Sequence, residues 1–457
     1  MEKRTRVRLC LWMSLVFLAL FGPLVEPRLG SGVFAETRGA GVDCRVELDR
    51  HVLPAGGVQR AVIKITLDAP DGPGREMRPP VNLSLVLDRS GSMTGRKLQK
   101  AKEAAIEALR RLGPQDIFSV VTYDDRVKTV VPAQRKRDVT WIEGKIRSIR
   151  AGGSTALFGG VSQGASEVRK NMEGDYVHRI VLLSDGLANV GPRTPEDLGR
   201  LGVALLKEGI SVTTVGVGTD YNEDLMTRLS EKSDGNSYFV ESAGDLSRIF
   251  AAELGDVLNV VAKRVHLIID CPDGVRPVSI IGRDGRIRQG RVEFTLNQLY
   301  GGQEKFALVQ VEIAGRKAGE DMLVADARVS YENMLTQKSE VSYGQVKARF
   351  SEEEEKVKES TNITVQRDYE LNVNAAAQER AISLSDKGKR KEAVHELKKS
   401  SARLKAIGEE HRDEILLEKA EEMEQQAGRI EKEGMTKTNR KSLRTQSYQM
   451  KHQQLNK

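Results

Sequence analysis

The chain has 457 residues, of which 39% are hydrophobic, 30% charged and 5% aromatic. This length predicts two to four domains, and the apolar fraction is large enough for a real core. The formal net charge is only +7, and basic residues are mostly interspersed with acidic ones, so the one-sided basic stripe of a nucleic-acid-binding protein is not expected. The scarcity of aromatic residues also argues against a cofactor pocket lined with rings.

Residues 1–35 have the features of a cleaved signal peptide. A basic stretch between Lys3 and Arg8 precedes the apolar run Leu9–Leu24, and the segment that ends at Ala35 suits cleavage. The apolar run is shorter than the roughly 20 residues that a membrane span needs, so we favour cleavage over a membrane anchor. The sequence has no second long apolar run. We therefore expect a secreted or periplasmic protein with no membrane span in the mature chain.

The next segment, residues 36–78, contains two predicted strands. Residues 43–48 and 61–67 alternate polar and apolar side chains, which is the period of a half-buried strand. The Pro- and Gly-rich segment 54–57 between them favours a turn. The prolines and glycines of residues 70–80 are typical of a linker.

Residues 79–258 alternate strands and helices. This alternation predicts a mainly parallel, doubly wound α/β sheet of the Rossmann-like kind, with helices on both faces. The continuously apolar strands fit burial on both sides of such a sheet. The predicted strands are 81–87, 117–123, 180–183, 210–217 and 237–240, and the predicted helices are 97–112, 141–149, 157–168, 195–207, 223–230 and a last helix through Leu254.

Residues 259–350 lack helix signals and show strands separated by Gly-rich turns, which predicts an antiparallel β module. The strands of residues 36–78 lie on the other side of the α/β domain in sequence. We expect them to complete the same β-sandwich, so that the α/β domain is inserted between its two parts. Cys44 and Cys271 lie on strands of this module. In an oxidising compartment they could form a disulfide bond that joins the two parts; two buried free thiols are the alternative.

The C-terminal part of the chain, residues 351–433, is helical in period and composition. Gly388 is predicted to turn the chain between two helices of a hairpin. The remaining residues, 434–457, are rich in Lys, Arg, Asn and Gln, have little to bury and are expected to be flexible. The apolar residues of the hairpin are Leu371, Ala375, Ala381, Ile382 and Leu384 on the first helix, and Ala393, Val394, Leu397 and Leu404 on the second.

Five oxygen-bearing side chains follow elements of the predicted α/β sheet. They are Asp88, Ser90 and Ser92 after the first strand, Thr155 between the two middle helices, and Asp185 after the strand at 180–183. In an open parallel sheet, ligands bind beyond the carboxyl ends of the strands. Two carboxylates and three hydroxyls suit a hard cation such as Mg²⁺, with Mn²⁺ or Ca²⁺ as alternatives. The absence of His and Cys from the set argues against zinc.

This pattern resembles the metal-ion-dependent adhesion site of von Willebrand factor A-like domains, and the resemblance covers residues 81 to about 255. It implies that Ser90, Ser92 and Thr155 bind the metal directly, and that Asp88 and Asp185 bind it directly or through water. It also implies a free coordination position for an acidic side chain of a protein partner.

Either Ser154 or Thr155 could supply the hydroxyl in the middle of the motif, because the two residues are adjacent. We choose Thr155, since Ala156-Leu157 follows it in the way that the helix of the family usually begins.

The same residues do not fit the enzyme motifs that they could be mistaken for. A haloacid-type phosphatase needs a second carboxylate where Ser90 stands. A nucleophile elbow needs a serine where Met93 stands between the two glycines. Because no nucleophile is found with a base, we do not expect an enzyme.

We therefore interpret the sequence as an exported binding protein that captures a protein partner through its metal. The combination of domains resembles exported bacterial proteins of this family more than the heavy chains of inter-α-trypsin inhibitors, since the chain is short. The alternative is a structural or assembly component of a cell-envelope complex, in which the metal supports the fold.

Overall fold

The computed structural model describes residues 41–72 and 78–454. The predicted signal peptide, residues 1–35, lies outside the described residues. None of the helices within the described ranges combines the length and the apolar character that a membrane crossing requires.

The described chain alternates between β-rich and helical segments. In chain order, the strands are β1 (Asp43–Leu48), β2 (Val52–Pro54), β3 (Gln59–Asp68), β4 (Val81–Asp88), β5 (Ile117–Tyr123), β6 (Val127–Arg135), β7 (Val177–Ser184), β8 (Ile210–Val217), β9 (Ser237–Val240), β10 (Val260–Asp270), β11 (Val275–Ile281), β12 (Arg286–Arg288), β13 (Arg291–Tyr300), β14 (Glu304–Ile313), β15 (Asp321–Asn333) and β16 (Lys338–Ser351). The helices are α1 (Arg96–Arg111), α2 (Val139–Arg147), α3 (Leu157–Arg169), α4 (Pro195–Lys207), α5 (Glu223–Lys232), α6 (Leu246–Val257), α7 (Glu354–Glu359), α8 (Ile363–Asp386), α9 (Arg390–His411), α10 (Glu414–Glu433) and α11 (Lys437–Lys451).

The α/β domain is built on a sheet with the strand order β6-β5-β4-β7-β8-β9. All neighbouring strands are parallel except β6, which is antiparallel to β5. Alternate side chains of β4 enter the two cores on either side of the sheet: Leu85 and Leu87 pack with Leu98 of α1, and Val86 packs with Val161 of α3. The predicted doubly wound, mainly parallel sheet is therefore confirmed.

Strand β6 was not predicted from the sequence. It contains Pro132, which has no backbone N–H and is tolerated in a sheet mainly at an edge. Strand β6 lies at an edge of the sheet, and its residues are mostly exposed or half-buried. An edge strand of this kind lacks the apolar run that marks the buried strands.

The β module is a sandwich of two sheets, with the strand orders β1-β3-β14-β11 and β12-β13-β10-β15-β16-β2. Strand β3 precedes the α/β domain in sequence and pairs along its whole length with β14, which follows that domain. The inner faces of both sheets share one apolar core. The predicted insertion of the α/β domain between two parts of a β-sandwich is therefore confirmed.

The predicted disulfide bond is not formed in this structure, where Cys44 and Cys271 are both free thiols. Cys44 lies on β1, and Cys271 directly follows β10 in the opposite sheet of the sandwich. Both thiols pack against the sandwich core. Burial raises the pKa of Cys44 to about 12 and that of Cys271 to about 11, so the thiols are protonated at neutral pH.

The helical region begins with the short helix α7, which the predicted hairpin follows. Helices α8 and α9 are joined by a turn at Gly388, whose φ of +75° is one that glycine adopts readily. Leu371 and Ile382 of α8 share an apolar core with Leu397 and Leu404 of α9. Helix α10 continues this core on the other side of α9.

Residues 437–451 form helix α11, which corrects the prediction of a flexible tail. Its anchoring is mostly polar. Arg440 forms ion pairs with Glu223 and Asp224 of α5, and Lys441 Nζ lies 2.5 Å from Glu223 Oε2. Tyr448 donates a hydrogen bond to the carbonyl oxygen of Gly235 at 2.6 Å. A helix held by long-range ion pairs carries little apolar periodicity, so its order could not be inferred from composition.

Candidate metal centre

The site begins where two neighbouring parallel strands end. Strand β4 ends at Asp88 and its neighbour β7 ends at Ser184, directly before Asp185. Both aspartates are fully buried. The parallel pairing of β4 with β7 therefore brings two carboxylates that are far apart in sequence to the same edge of the sheet.

Asp88 is held by neutral hydrogen-bond donors. Its Oδ1 accepts from the backbone N–H of Ser90 at 2.8 Å, and its Oδ2 accepts from the hydroxyl of Ser184 at 2.8 Å. Burial raises the pKa of Asp88, although the hydrogen bonds from Ser90 and Ser184 act in the opposite direction. A buried carboxylate in this setting favours a nearby cation, because the charge is costly to leave uncompensated.

The serine hydroxyls connect the two carboxylates. Ser90 Oγ lies 3.0 Å from Ser92 Oγ, and Ser92 Oγ donates to Asp185 Oδ1 at 2.7 Å. The short 3-10 turn Gly91–Met93 sets this geometry, because it folds Ser92 back over the end of β4.

The three predicted hydroxyl ligands converge beside Gly186. A β-carbon at Gly186 would lie 3.2 Å from Ser92 Oγ, 3.4 Å from Thr155 Oγ1 and 3.9 Å from Ser90 Oγ. The missing side chain therefore leaves an oxygen-lined recess. All five predicted residues border this recess or are hydrogen-bonded to a residue that does.

Thr155, rather than Ser154, contributes the hydroxyl to this recess. Thr155 is buried and Ser154 is exposed. Asn189 holds Thr155 in place: its Oδ1 accepts from the backbone N–H of Thr155 at 2.8 Å, and its own N–H donates to the carbonyl oxygen of Thr155 at 3.1 Å.

An ion pair fixes the loop that carries Thr155. Arg89 lies 2.6 Å from Asp124 Oδ2, and the Gly152 N–H donates to the carbonyl oxygen of Arg89 at 2.8 Å. Gly153 adopts a φ of +77°, and a β-carbon there would lie 2.1 Å from Asp125 Oδ1. Any residue other than glycine would force a shift of the loop that carries Asp124 and Asp125, which we call the acidic loop.

Two further residues of the site were not predicted from the sequence. Ser184 is the last residue of β7, and its hydroxyl binds Asp88. Lys97, at the start of α1, places Nζ 2.5 Å from Asp185 Oδ2. The signal for Ser184 was its position directly before Asp185. The approach of Lys97 depends on the angle at which α1 leaves the sheet, which the sequence does not state.

The donor set suits a hard cation. Three hydroxyls border the recess, and the two carboxylates are hydrogen-bonded to the serines that line it; oxygen ligands of this kind are preferred by Mg²⁺, Mn²⁺ and Ca²⁺. No cluster of three or more His, Cys, Asp or Glu side chains that could hold a metal was found among the described residues. A cation at this site would therefore depend on the hydroxyls as much as on the carboxylates.

The α/β domain has the fold of a von Willebrand factor type A domain. Residues 82–252 match the sequence model of that domain, so the chain carries one. The chain is also similar over 82% of its length to the solved structure of a von Willebrand factor type A protein from Catenulispora acidiphila. The TM-score is 0.65, the sequence identity is 17%, and 89% of that chain is covered. At this identity the likeness shows the shared fold.

Two curated relatives extend beyond the domain. The uncharacterized protein sll0103 of Synechocystis is 28% identical over an alignment of 278 residues, and the match covers 55% of this chain and 66% of that protein. The uncharacterized protein YfbK of Escherichia coli is 28% identical over an alignment of 274 residues, and the match covers 58% of this chain and 47% of that protein. The chain thus spans about half to two thirds of the length of these two curated relatives.

Proposed function

We propose that this protein is an exported binding protein that uses a divalent metal in its von Willebrand factor type A domain to capture a protein partner. The observation that carries the proposal is the convergence of three hydroxyls beside Gly186, with two buried carboxylates next to them. Domains of this type commonly mediate contacts between proteins. Mg²⁺ is the metal that we expect, and a partner would reach it with an acidic side chain.

Each residue of the site would have a distinct part in this function. Ser90, Ser92 and Thr155 would offer their hydroxyl oxygens to the metal. Asp88 and Asp185 would supply the negative charge, directly or through water. A bound metal would supply a Lewis-acidic position that accepts a carboxylate of the partner.

Binding is favoured over catalysis by the bonding within the site. Ser92 donates to Asp185, and Ser184 donates to Asp88. A carboxylate that accepts from a neighbouring serine could act as a base in principle, but Asp88 is buried beneath the recess and is held by two donors. We therefore propose no enzymatic activity, and hydrolase assays of the purified chain with Mg²⁺ would contradict this if they gave turnover that Asp88→Ala abolishes.

The central test is the substitution Asp88→Ala. We expect it to abolish both Mn²⁺ binding, measured by calorimetry, and Mg²⁺-dependent partner capture, because the site loses a charge that the hydroxyls cannot replace. Asp321→Ala is the matched control, since Asp321 lies on β15 of the sandwich with an exposed side chain and should leave metal binding unchanged. Circular dichroism checks the fold of both variants. Partner capture that survives Asp88→Ala and a chelator would contradict the proposal.

A structural role in a cell-envelope complex is the second candidate. It is favoured by the docking of α11 onto α5, which joins the helical region to the metal-binding domain. In that case capture would depend on the helices, and the metal would only stabilise the fold. A chelator would then lower the melting temperature without releasing the partner, whereas under the first proposal it releases the partner.

A further inference from the structure

We propose that Lys97 keeps the metal centre cationic, so that it weakens metal binding and strengthens the binding of a carboxylate partner. This inference rests on the proposed function, and it concerns the charge of the same site. The observation behind it is the ion pair between Lys97 Nζ and Asp185 Oδ2, 2.5 Å apart. Asp185 is fully buried, while the side chain of Lys97 is one-third exposed.

The two carboxylates of the site differ in their surroundings. Asp88 accepts hydrogen bonds from neutral donors, Ser184 and the backbone N–H of Ser90. Asp185 shares its charge between Ser92 on Oδ1 and Lys97 on Oδ2. The next ion pair around the site, Arg89 with Asp124, is neutral by itself. Among the described residues, Lys97 is therefore the cationic side chain in direct contact with one of the two carboxylates, and Asp220, which also interacts with Lys97, is paired with Lys437.

The charge balance gives opposite effects on metal and partner. Two carboxylates balance the charge of a divalent ion, so a further anion would be held by coordination to the metal without a net electrostatic attraction. With the ammonium of Lys97 present, the loaded centre carries one net positive charge. A carboxylate is then attracted to the centre, and the divalent ion is repelled by the ammonium. A change that only disturbed the packing would instead weaken both kinds of binding.

The test uses the full chain with two simple probes. Mn²⁺ binding is measured by the loss of the free-ion signal in electron paramagnetic resonance. Acetate binding to the Mn²⁺-loaded protein is measured by the decrease in water proton relaxation as acetate replaces bound water. We expect Lys97→Gln to bind Mn²⁺ about tenfold more tightly and acetate about tenfold more weakly, because the amide can still donate to Asp185 but carries no charge.

Matched variants separate charge from packing. Lys97→Arg keeps the charge and should leave both affinities near those of the wild type. Lys100→Gln removes a positive charge from the same helix, where Lys100 pairs with Glu103 at 2.6 Å, and should change neither affinity. Circular dichroism confirms folding, and Lys97→Met repeats the experiment without an amide.

The outcomes distinguish the two proposals. If the wild-type protein does not bind Mn²⁺, the proposed function fails, and the role of Lys97 fails with it. If the wild type binds Mn²⁺ but Lys97→Gln binds it equally or more weakly, the proposed function stands and the role of Lys97 is wrong. Unchanged acetate binding in Lys97→Gln would overturn the role of Lys97 in the same way.

Discussion

At the scale of single residues, Gly153 is the position where backbone conformation and the site depend on each other. Its φ of +77° lies in the left-handed region, and a β-carbon at this position would clash with the side chains of Asp124 and Asp125. Asp124 in turn pairs with Arg89, and its carbonyl oxygen accepts from the N–H of Ala156, next to Thr155. A shift at Gly153 is therefore transmitted to a proposed metal ligand.

We predict that Gly153→Ala weakens Mn²⁺ binding and also lowers the free energy of unfolding. The left-handed conformation alone costs a non-glycine residue about 1–2 kcal/mol, and the clash with the acidic loop adds to this. Urea unfolding and Mn²⁺ titration measure the two effects.

Gly191→Ala is the matched control for this prediction, because Gly191 has a φ of +76° but nothing lies within 4 Å of its β-carbon position. It should show only the conformational cost, with normal Mn²⁺ affinity. Equal Mn²⁺ affinity in the two variants would mean that the acidic loop does not position Thr155.

At the scale of elements, helix α11 shows how ion pairs can order a segment that has little apolar surface. Lys441 and Glu223 are both buried, and the ammonium also donates to the carbonyl oxygen of Tyr221 at 2.9 Å. Asp220, near the start of α5, pairs with Lys437 on the surface. The helix therefore combines a buried ion pair and the buried hydrogen bond of Tyr448 with exposed ion pairs.

We predict that Lys441→Met lowers the free energy of unfolding by about 3 kcal/mol, because it leaves the buried Glu223 without one of its charge partners. Thermal and urea unfolding measure the loss. Lys437→Ala removes the exposed pair of the same helix and should change stability little, since exposed ion pairs contribute little. If both variants were equally stable, the anchoring of α11 would not depend on the buried pair.

At the scale of the whole molecule, a buried polar network joins the α/β domain to the β-sandwich. Arg179 of β7 is fully buried and donates to Gln298 Oε1 at 2.7 Å and to the hydroxyl of Tyr300 at 2.6 Å, both on β13. It also lies 3.5 Å from Glu253 of α6. The guanidinium of Arg179 therefore contacts the sheet and helix α6 of the α/β domain, and strand β13 of the β-sandwich.

We predict that Arg179→Met lowers the free energy of unfolding by about 3–5 kcal/mol, because the buried Glu253 loses its charge partner. Calorimetry should also show a broader transition, as the two domains lose a shared contact. Arg169→Met, which removes the more exposed ion pair with Glu208, should cost less than about 1 kcal/mol. A variant Arg179→Met as stable as the wild type would show that apolar packing alone joins the two domains.

The sequence by itself determined the elements whose signal is local. The largely apolar runs of β4, β5, β7 and β8 marked a buried parallel sheet, because strands covered on both faces are mostly apolar on both of their sides. The motif from Asp88 to Asp185 marked one edge of that sheet, because parallel strands end on the same side. The strands before and after the α/β domain similarly indicated one interrupted sandwich.

Only the tertiary structure decided the features that depend on distant partners. The edge strand β6 and the helix α11 are stabilised by neighbours rather than by their own patterns. The packing of Cys44 and Cys271 as free thiols against the sandwich core also depends on how the two sheets assemble. The choice of Thr155 over Ser154 and the contact of Lys97 with Asp185 follow from the orientation of loops and of α1. The periodicity of a segment indicates which face of a helix or strand is buried. It does not indicate which distant charged side chain that face contacts in the folded protein.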